Sequence, residues 1–492
     1  MMTLPVDLYR TEQIKALEQF VIQREIISGF ELMQRAGTAV FECLRARYST
    51  VKTIAIFCGA GNNAGDGYVI ATLALQANLD VRVYSVVNPT TLRSDALTAY
   101  QHYVQLGGMI ESFTVDTKIE TELFVDALFG TGLSRPVTDL YAQAIEVMNQ
   151  SGAIVIAVDI PSGLNADTGN VFGTAVEADV TITFIGLKQG LFTGFAVEYV
   201  GDIICASLDL PDEAWQTVIP SAQRVLPKSL PPRLRYAHKG HCGHVLIIGG
   251  DLGYSGAARL AGMAALRVGA GLVSIATHPE NAAVMNVACP ELMCHGVKNA
   301  EQLAPLLAKA SVIVIGTGLG QSAWAKDLFH AALAIEKSLI IDADGLNLLA
   351  QSPCKNDHWI LTPHVGEAAR LLATTTGEIQ TNRFFAVKTL QQRYGGVAIL
   401  KGAGTLIATD NTLAVSNTGN AGMASGGMGD VLAGVIAGLL AQGLPLHDAA
   451  QQGVYGHGLA ADIAAKLDGE RGLLASDLLP HLRRWINSVA FI

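Results

Sequence analysis

The chain has 492 residues, of which 50% are hydrophobic and 15% charged, so it is too long for one core and too apolar for a disordered or coiled-coil protein. Residues 1–224 hold 13 Lys and Arg against 25 Asp and Glu, a formal charge of −12, whereas residues 225–492 hold 20 against 18. The acidic first half argues against nucleic acid as a partner, because binding to the phosphate backbone needs a basic face.

The N-terminus lacks the basic and apolar regions of a secretory signal, and the seven cysteines include no Cys-x-x-Cys pair. Both features predict a cytoplasmic protein with reduced thiols. The longest apolar run, 431–440, is interrupted by glycines and too short to span a bilayer, so we expect no membrane contact. We also expect the protein to form a homo-oligomer.

Helical spacing of apolar residues predicts two helices within 11–47, followed by β-rich runs that alternate with helical stretches. The runs lie at 53–57, 81–87, 123–128, 154–158 and 180–185. This alternation predicts a Rossmann-like, doubly wound parallel sheet that binds ligands at the carboxyl ends of its strands. A Pro-rich stretch, 210–235, predicts a linker between an N-terminal domain, 1–220, and a C-terminal domain, 225–492.

The second half repeats the alternation and predicts another α/β domain. Its β-rich runs lie at 244–248, 272–276, 312–315, 339–342, 359–361 and 397–400. Two further runs, 405–408 and 412–415, flank Asp410 and Asn411 and predict a β-hairpin.

A glycine-rich loop at 59–67, Gly-Ala-Gly-Asn-Asn-Ala-Gly-Asp-Gly, joins the first strand to a helix, where backbone N–H groups can hold phosphate. It matches the dinucleotide fingerprint weakly, because the next strand does not end in the acidic residue that binds ribose. A plain dehydrogenase is therefore disfavoured, and a tight strand–helix turn without a ligand is the structural alternative.

Asp126 and Asp159 each end a predicted strand, and Ser162 follows the second of them. With the amide of Asn63 they form a set of hard oxygen donors suited to a group I or II cation. Asp159 is alternatively a general base, and any single Asp at a strand end is equally a helix N-cap. Three polar groups at neighbouring strand ends favour a site.

These segments resemble the NAD(P)H-hydrate epimerase domain across about residues 1–220: Cys-Gly-Ala-Gly-Asn-Asn-Ala-Gly-Asp-Gly-Tyr, Val-Asp-Ala-Leu-Phe-Gly-Thr-Gly-Leu and Val-Asp-Ile-Pro-Ser-Gly-Leu. The resemblance implies potassium at Asn63, Asp126 and Ser162, with Asp159 as the substrate-binding acid/base and Lys188 as a second catalytic residue. It implies that the hydrated dinucleotide is held by Asn62, Asn63, Ala64, Gly65, Asp66, Gly130, Thr131, Gly132, Leu133, Ser134, Arg135 and Pro136.

In the second half, Lys401 ends a strand before a glycine turn, and a glycine-rich loop, 419–430, leads through Asp430 into an apolar helix. A lysine at a strand end can neutralise phosphate, although a solvated turn lysine is the plain alternative. The glycines expose N–H groups to an anion, and Asp430 is either a helix N-cap or a catalytic base.

This arrangement resembles ribokinase-like proteins, and five segments in order, within about 230–492, resemble the ADP-dependent NAD(P)H-hydrate dehydratase. The segments are 249–258, 316–320, 342–347, 361–367 and 400–430. The resemblance implies that the hydrate is held by Ala257, Gly320, His364 and Asp430, and the nucleotide by Lys401, Gly402, Ala403, Gly404, Thr405 and Gly429. The chain departs from the family pattern at Thr317, where Pro is usual, and at Met428, where a hydroxyl residue is usual.

The sequence therefore predicts a bifunctional repair enzyme that epimerises the R and S hydrates of NADH and NADPH and dehydrates the S form with ADP, giving AMP and phosphate. Magnesium would accompany ADP, and Asp430 would be the general base. Two rivals remain: a small-molecule kinase fused to a Rossmann-like regulator, and a non-catalytic nucleotide sensor. A metal site at His238, His241 and His244 is disfavoured, because their spacing fits no zinc pattern.

Overall fold

The computed structural model describes residues 4–287 and 289–488, and the chain divides into two compact units, Met1–Gln223 and Arg224–Ile492. The Pro-rich stretch assigned to a linker includes a short helix, and Leu210 and Ala214 within it are buried in the core of the first unit. Among the described helices, none combines the length and apolarity needed to cross a membrane.

The first unit alternates strands and helices along the chain. Its strands are β1 (Asp7–Tyr9), β2 (Thr53–Cys58), β3 (Asp80–Ser85), β4 (Met109–Ser112), β5 (Leu123–Ala127), β6 (Ile154–Val158), β7 (Val180–Phe184), β8 (Leu187–Lys188), β9 (Asp202–Ala206) and β10 (Ala222–Arg224). Its helices are α1 (Thr11–Gln23), α2 (Gly29–Arg47), α3 (Asn62–Gln76), α4 (Ser94–Gln105), α5 (Asp139–Gln150) and α6 (Asp212–Trp215).

Seven of these strands form one parallel sheet in the order β4-β3-β2-β5-β6-β7-β9. Alternate residues of β2 enter two cores, with Ile54 and Ile56 on one face and Ala55 and Phe57 on the other. Both faces are covered, which confirms the predicted Rossmann-like, doubly wound sheet. The strand order reverses between β2 and β5, where such sheets open a crevice for ligands.

Strand β1 pairs with two short strands, β8 and β10, that lie outside the seven-stranded sheet. β1 runs parallel to β8, with Tyr9 opposite Lys188, and antiparallel to residues 222 and 223 of β10. Helix α1 begins two residues after β1 and buries Ile14, Leu17 and Val21. This pairing brings α1 close to the segment that carries Lys188.

The second unit is also an α/β structure. Its strands are β11 (His244–Ile248), β12 (Leu272–Thr277), β13 (Met293–Gly296), β14 (Val312–Ile315), β15 (Ser338–Ile341), β16 (Trp359–Leu361), β17 (Val397–Leu400), β18 (Thr405–Ala408) and β19 (Leu413–Ser416). Its helices are α7 (Ser255–Arg267), α8 (Ala300–Lys309), α9 (Ala323–Leu333), α10 (Asp344–Gln351), α11 (Val365–Leu372), α12 (Thr376–Thr381), α13 (Arg383–Tyr394), α14 (Met428–Ala441), α15 (Leu446–Asp468) and α16 (Leu478–Ser488).

The sheet of the second unit runs β13-β12-β11-β14-β15-β16-β17-β18-β19, parallel as far as β17 and antiparallel in its last two pairs. The predicted hairpin is β18–β19. Helix α14 is almost wholly buried and packs closely on α7, because a side chain at Gly434 would overlap the backbone of Ala261. This packing fixes the N-terminus of α14, which follows the second glycine-rich loop.

Candidate active sites

The first glycine-rich loop places its polar residues at the start of α3, beside the carboxyl end of β2. Asn62 is exposed, whereas Asn63 and Asp66 are buried. Ala64 and Gly65 pack inward, and a Cβ at Gly65 would overlap Met33 of α2. The loop therefore offers Asn62, Asn63 and Asp66 to a ligand, while Ala64 and Gly65 hold the helix against the core.

Asp126, Ser162 and Asn63 lie at the switch point of the first sheet. Asp126 in β5 is fully buried, and its carboxylate accepts hydrogen bonds from Ser162 Oγ at 2.6 Å and Ser162 N at 2.7 Å. Burial raises the pKa of Asp126 to about 6 despite these bonds. Nδ2 of Asn63 is buried with no hydrogen-bond partner. The buried Asp126 carboxylate, the Ser162 hydroxyl and the amide oxygen of Asn63 are oxygen ligands that suit a cation, whereas the unpaired Nδ2 can only donate a hydrogen bond.

The loop that follows β5 connects this cluster to the surface. Gly130 lies beside Asn63, since a Cβ there would sit 3.5 Å from Asn63 Oδ1. The next residues are exposed or half-buried: Thr131, Gly132, Leu133, Ser134, Arg135 and Pro136. Their backbone is accessible to a ligand at the crevice, but the structure gives them no shared polar contact with Asp159.

Asp159 and Lys188 form a buried ion pair beside the same crevice. Lys188 is 1% exposed, and its Nζ lies 2.5 Å from Asp159 Oδ1, 2.9 Å from Thr183 Oγ1 and 2.8 Å from the carbonyl oxygen of Phe184. The backbone of Asp159 has a φ of +67°, which is rare for a residue other than glycine and marks a constrained position. The chain therefore orients this carboxylate through both its backbone and its lysine partner.

Two further carboxyl groups face the pair. Burial, followed by the charge of Asp159, raises the pKa of Asp66 well above its usual range. Burial also raises the pKa of Glu18, which interacts electrostatically with Lys188 and Asp159. Sequence reasoning missed Glu18, although it lies one helical turn after the buried Ile14 on α1, where a charged residue is unexpected.

The second unit gathers an ion-paired cluster at the ends of three parallel strands. Asp342 follows β15 and is 1% exposed; its Oδ1 accepts hydrogen bonds from Lys401 Nζ at 2.8 Å and Thr362 Oγ1 at 2.7 Å. Lys401 follows β17 and lies 3.8 Å from Glu367 Oε2. Burial alone would lower the pKa of Lys401, but Asp342 and Glu367 together raise it, so the ammonium stays charged. Sequence reasoning did not assign Asp342 or Glu367 to the site.

Asp430 lies in the first turn of α14 and faces this cluster. Burial, followed by the charge of Asp342, raises its pKa to about 7. Gly429 lies against both members of the Lys401–Asp342 pair, since a Cβ there would sit 3.1 Å from Lys401 Nζ and 3.4 Å from Asp342 Oδ2. Asp430 receives no hydrogen bond that would mark it as an N-cap in this helix, whose N-cap is Gly427. A carboxyl group with a pKa near 7 is well matched to proton abstraction at neutral pH.

Backbone geometry explains one of the two glycines that precede Met428. Gly427 has a φ of +92°, a conformation that suits glycine, whereas a Cβ at Gly426 would meet only open space. Met428, in contrast, is 6% exposed and its side chain belongs to the hydrophobic core. The side chain of Met428 therefore packs in the core, and only backbone N–H groups at this position could contact an anion.

The remaining sequence-predicted residues line the same region of the second unit. Ala257 and Gly318 are adjacent, and Gly320 donates its N–H to Asp344 Oδ2 at 2.9 Å. Asp344 in turn interacts electrostatically with Asp430. Gly402 and Ala403 are exposed in a tight turn, while Gly404 is buried.

His364 is the N-cap of α11, and this structural role occupies one of its ring nitrogens. Nδ1 accepts hydrogen bonds from the N–H groups of Gly366 at 2.9 Å and Glu367 at 3.3 Å. Nε2 lies 3.4 Å from Glu367 Oε1. Burial, with the charge of Lys401, lowers the pKa of His364, so the ring is neutral and only Nε2 is left for a ligand.

The histidines near the start of the second unit form no metal centre. The rings of His238 and His241 stack with centroids 3.7 Å apart, and His244 Nε2 lies 2.8 Å from Ser274 Oγ. Across 4–287 and 289–488, no group of three or more His, Cys, Asp or Glu residues is arranged to hold a metal ion.

Comparison with known proteins identifies relatives of both units. A family model described as YjeF-related protein N-terminus matches residues 29–190, and one described as NAD(P)H-hydrate dehydratase matches residues 245–484. The bifunctional NAD(P)H-hydrate repair enzyme Nnr of Coxiella burnetii is 48% identical over 98% of this chain and 99% of its own length. A protein of Streptococcus mutans described as hypothetical is 31% identical, covering 53% of this chain and 95% of its own with a TM-score of 0.50. The ADP/ATP-dependent NAD(P)H-hydrate dehydratase of Bacillus subtilis, crystallised with ATP and Mg²⁺, is 29% identical, covering 53% and 95% with a TM-score of 0.48.

Proposed function

Because the chain belongs to the family of bifunctional NAD(P)H-hydrate repair enzymes, we propose that each of its two α/β units carries one of the two active sites. The predicted family and enzyme class are confirmed, as are the Rossmann-like first sheet and the ribokinase-like second domain. The enzyme epimerises the R and S hydrates of NADH and NADPH and dehydrates the S form to NAD(P)H. We assign epimerisation to residues 1–220 and ADP-dependent dehydration to residues 225–492.

For the first unit, we propose that the hydrate binds in the crevice between β2 and β5. Asp159 would act on the proton or water that moves at the hydrated carbon, because its ion pair with Lys188 fixes the orientation of this carboxylate. Asp66 and Glu18, whose pKa values burial raises, would supply two further carboxyl groups next to it. The polar residues at the start of α3 and the exposed loop after β5 would hold the dinucleotide.

A potassium ion fits the switch-point cluster of the first unit. Asn63, Asp126 and Ser162 supply amide, carboxylate and hydroxyl oxygens. The buried Asp126 accepts hydrogen bonds from Leu128 N, Ser162 N and Ser162 Oγ, and no cationic side chain of the described residues donates to it. A bound K⁺ would lower the pKa of Asp126 and order the loop that begins at Gly130. This assignment is a proposal, supported by the complete burial of the Asp126 carboxyl group and by the amide oxygen of Asn63, which faces Gly130.

For the second unit, the observation that carries the proposal is the carboxyl group of Asp430, which has a pKa near 7 and faces Lys401 across Gly429. Asp430 would take the proton from the hydrate hydroxyl as that oxygen attacks the terminal phosphorus of ADP and AMP leaves. Backbone N–H groups at the start of α14 would stabilise the transferring phosphoryl group. Loss of phosphate from the ring, with a proton from the adjacent carbon, then restores the conjugated dihydronicotinamide.

Magnesium bound with ADP would neutralise phosphate charge in this site. The residue we expect to hold it is Glu367, a buried carboxyl group whose pKa burial raises to about 7 and which a cation would return to the ionised form. Lys401 would remain paired with Asp342 and supply a fixed positive charge beside the nucleotide.

Hydrated NADH or NADPH and ADP are the small-molecule partners we propose. We retain a cytoplasmic location and a homo-oligomer as proposals, the first supported by seven free cysteines.

A product analysis tests this function directly. Incubating the protein with hydrated NADH, ADP and Mg²⁺ should yield one NADH, one AMP and one phosphate for each hydrate consumed. Phosphorylated hydrate that accumulates with ATP would instead indicate a small-molecule kinase. Binding of nucleotide without turnover would indicate a sensor and contradict the proposal.

A further inference from the structure

Helix α15 holds residues 418–423, a segment that we call the loop arm and that includes the start of the second glycine-rich loop. Thr418 Oγ1 donates a hydrogen bond to the carbonyl oxygen of Tyr455 at 3.1 Å. Gly458, one helical turn further on, allows the contact, because a Cβ at this position would overlap Thr418. The arm therefore lies directly on the surface of α15.

Asp462 lies one turn beyond Gly458, and both of its carboxyl oxygens accept hydrogen bonds from the arm. Oδ2 accepts the backbone N–H of Gly419 at 3.0 Å, and Oδ1 accepts Nδ2 of Asn420 at 2.9 Å. Asn420 then accepts the N–H of Gly422 through its own Oδ1 at 3.0 Å. Asp462 thus makes two hydrogen bonds to the arm, and Asn420, which it holds, makes a third within the arm.

The arm leads to the groups that we assign to catalysis. Ser425 provides a second anchor, since its Oγ donates to the carbonyl oxygen of Leu473 at 3.0 Å. Gly426 and Gly427 follow without comparable side-chain support, and Gly429 and Asp430 come next in the first turn of α14. Glycine-rich backbone loses much conformational entropy on ordering, so anchors on its flank determine how well its N–H groups are preorganised.

We propose that Asp462 is a positioning residue for dehydration: it orders the loop arm so that the N–H groups of 426–429 and the Asp430 carboxylate keep the geometry needed for phosphoryl transfer. Asp462 would touch neither substrate nor nucleotide and would act through Gly419 and Asn420. The inference rests on the proposed role of the glycine-rich loop. Small displacements of catalytic groups cost large factors in rate, and a shift of about 1 Å costs on the order of 100-fold.

The test compares Asp462→Ala and Asp462→Asn with Asp468→Asn, a matched change at an exposed position of α15. We expect Asp462→Ala to lower kcat for dehydration by about 10- to 100-fold. Asp462→Asn, which retains one acceptor, should fall between this variant and the wild type. Asp468→Asn should match the wild type, and epimerisation, measured in the same samples, should be unchanged in all three.

A second readout separates positioning from general destabilisation. Amide hydrogen exchange within 418–429 should be faster in Asp462→Ala, while exchange in the buried strands β14 and β15 stays as in the wild type. If Asp462→Ala does not fold, Asn420→Ala removes one partner of Asp462 from the loop side and should reproduce the loss of kcat. Wild-type kcat and unchanged loop exchange in Asp462→Ala or Asn420→Ala would overturn the inference. A wild-type protein that fails to dehydrate the hydrate would instead overturn the proposed function itself.

Discussion

The ammonium group of Lys401 lies 2.8 Å from Oδ1 of Asp342, and the pair sits directly beside Gly429, one residue before Asp430. The two charges arrive from the ends of different parallel strands, β15 and β17. The pair fixes the lysine and also places a negative charge close to Asp430, which contributes, after burial, to the raised pKa of that carboxyl group. A strand-end ion pair thereby tunes the group that we assign as the general base.

Replacing Asp430 with Asn should abolish most dehydration while preserving ADP binding, because the side-chain volume is kept and only the proton acceptor is lost. We expect kcat to fall by about 10²- to 10⁴-fold, the contribution typical of a general base. Steady-state kinetics and calorimetric titration with ADP measure the two effects. Near-normal turnover in this variant would remove Asp430 from the chemistry.

Dehydration should depend on pH with a midpoint near 7. The pKa of Asp430 is raised to about 7, so the base is protonated and inactive below that pH and ionised above it. The value of kcat/KM at saturating ADP should therefore rise from about pH 6 to about pH 8 and then level off. A profile that stays flat across this range would contradict the assignment. As a control, Glu367→Gln should change the dependence of the rate on ADP and Mg²⁺ but should still show a rise in kcat/KM with pH.

Potassium should stabilise the protein through Asp126. The folded-state pKa of Asp126 is raised to about 6, above its unfolded value of about 4, so its ionisation lowers the free energy of unfolding as pH rises through this window. A bound cation would offset that loss at pH 7. We expect K⁺ to raise the thermal midpoint of the wild type but not of Asp126→Asn, and that variant should lose epimerisation while retaining dehydration. Equal midpoints in K⁺, Na⁺ and Li⁺ would argue against a specific potassium site.

The buried pair Lys188–Asp159 should be costly to break on one side only. Lys188→Met leaves a carboxylate that is 14% exposed without its lysine, and removing one partner of a buried pair typically costs about 3–5 kcal/mol. The double variant Lys188→Met/Asp159→Asn should recover much of that stability but no epimerisation. Chemical denaturation and a chromatographic assay of the two hydrates measure these quantities. Full epimerase activity in the double variant would show that the pair is only structural.

The sequence predicts the central strands of both sheets, because parallel strands buried on both faces appear as continuous apolar runs. The run 53–57, which corresponds to β2, is an example. The edge strands β4, β9 and β13 were not predicted, since they are short and at most half-buried and therefore lack a continuous apolar run. Asp126 and Asp430 were found because each adjoins a strand end or a glycine loop with a known pattern. Glu18 and Asp462 were not, because both lie inside helices and reach their partners only through tertiary packing.

Mixing two full-length variants tests whether the chain carries two separate active sites. Asp159→Asn should dehydrate the S hydrate with ADP but leave the R hydrate to slow spontaneous epimerisation, while Asp430→Asn should epimerise without forming NADH. The mixture of both variants, given both epimers of the hydrate and ADP, should convert all of the hydrate to NADH, as followed by the return of dihydronicotinamide absorbance. Rapid use of both hydrates by Asp159→Asn alone, or no recovery in the mixture, would contradict the assignment of one reaction to each unit.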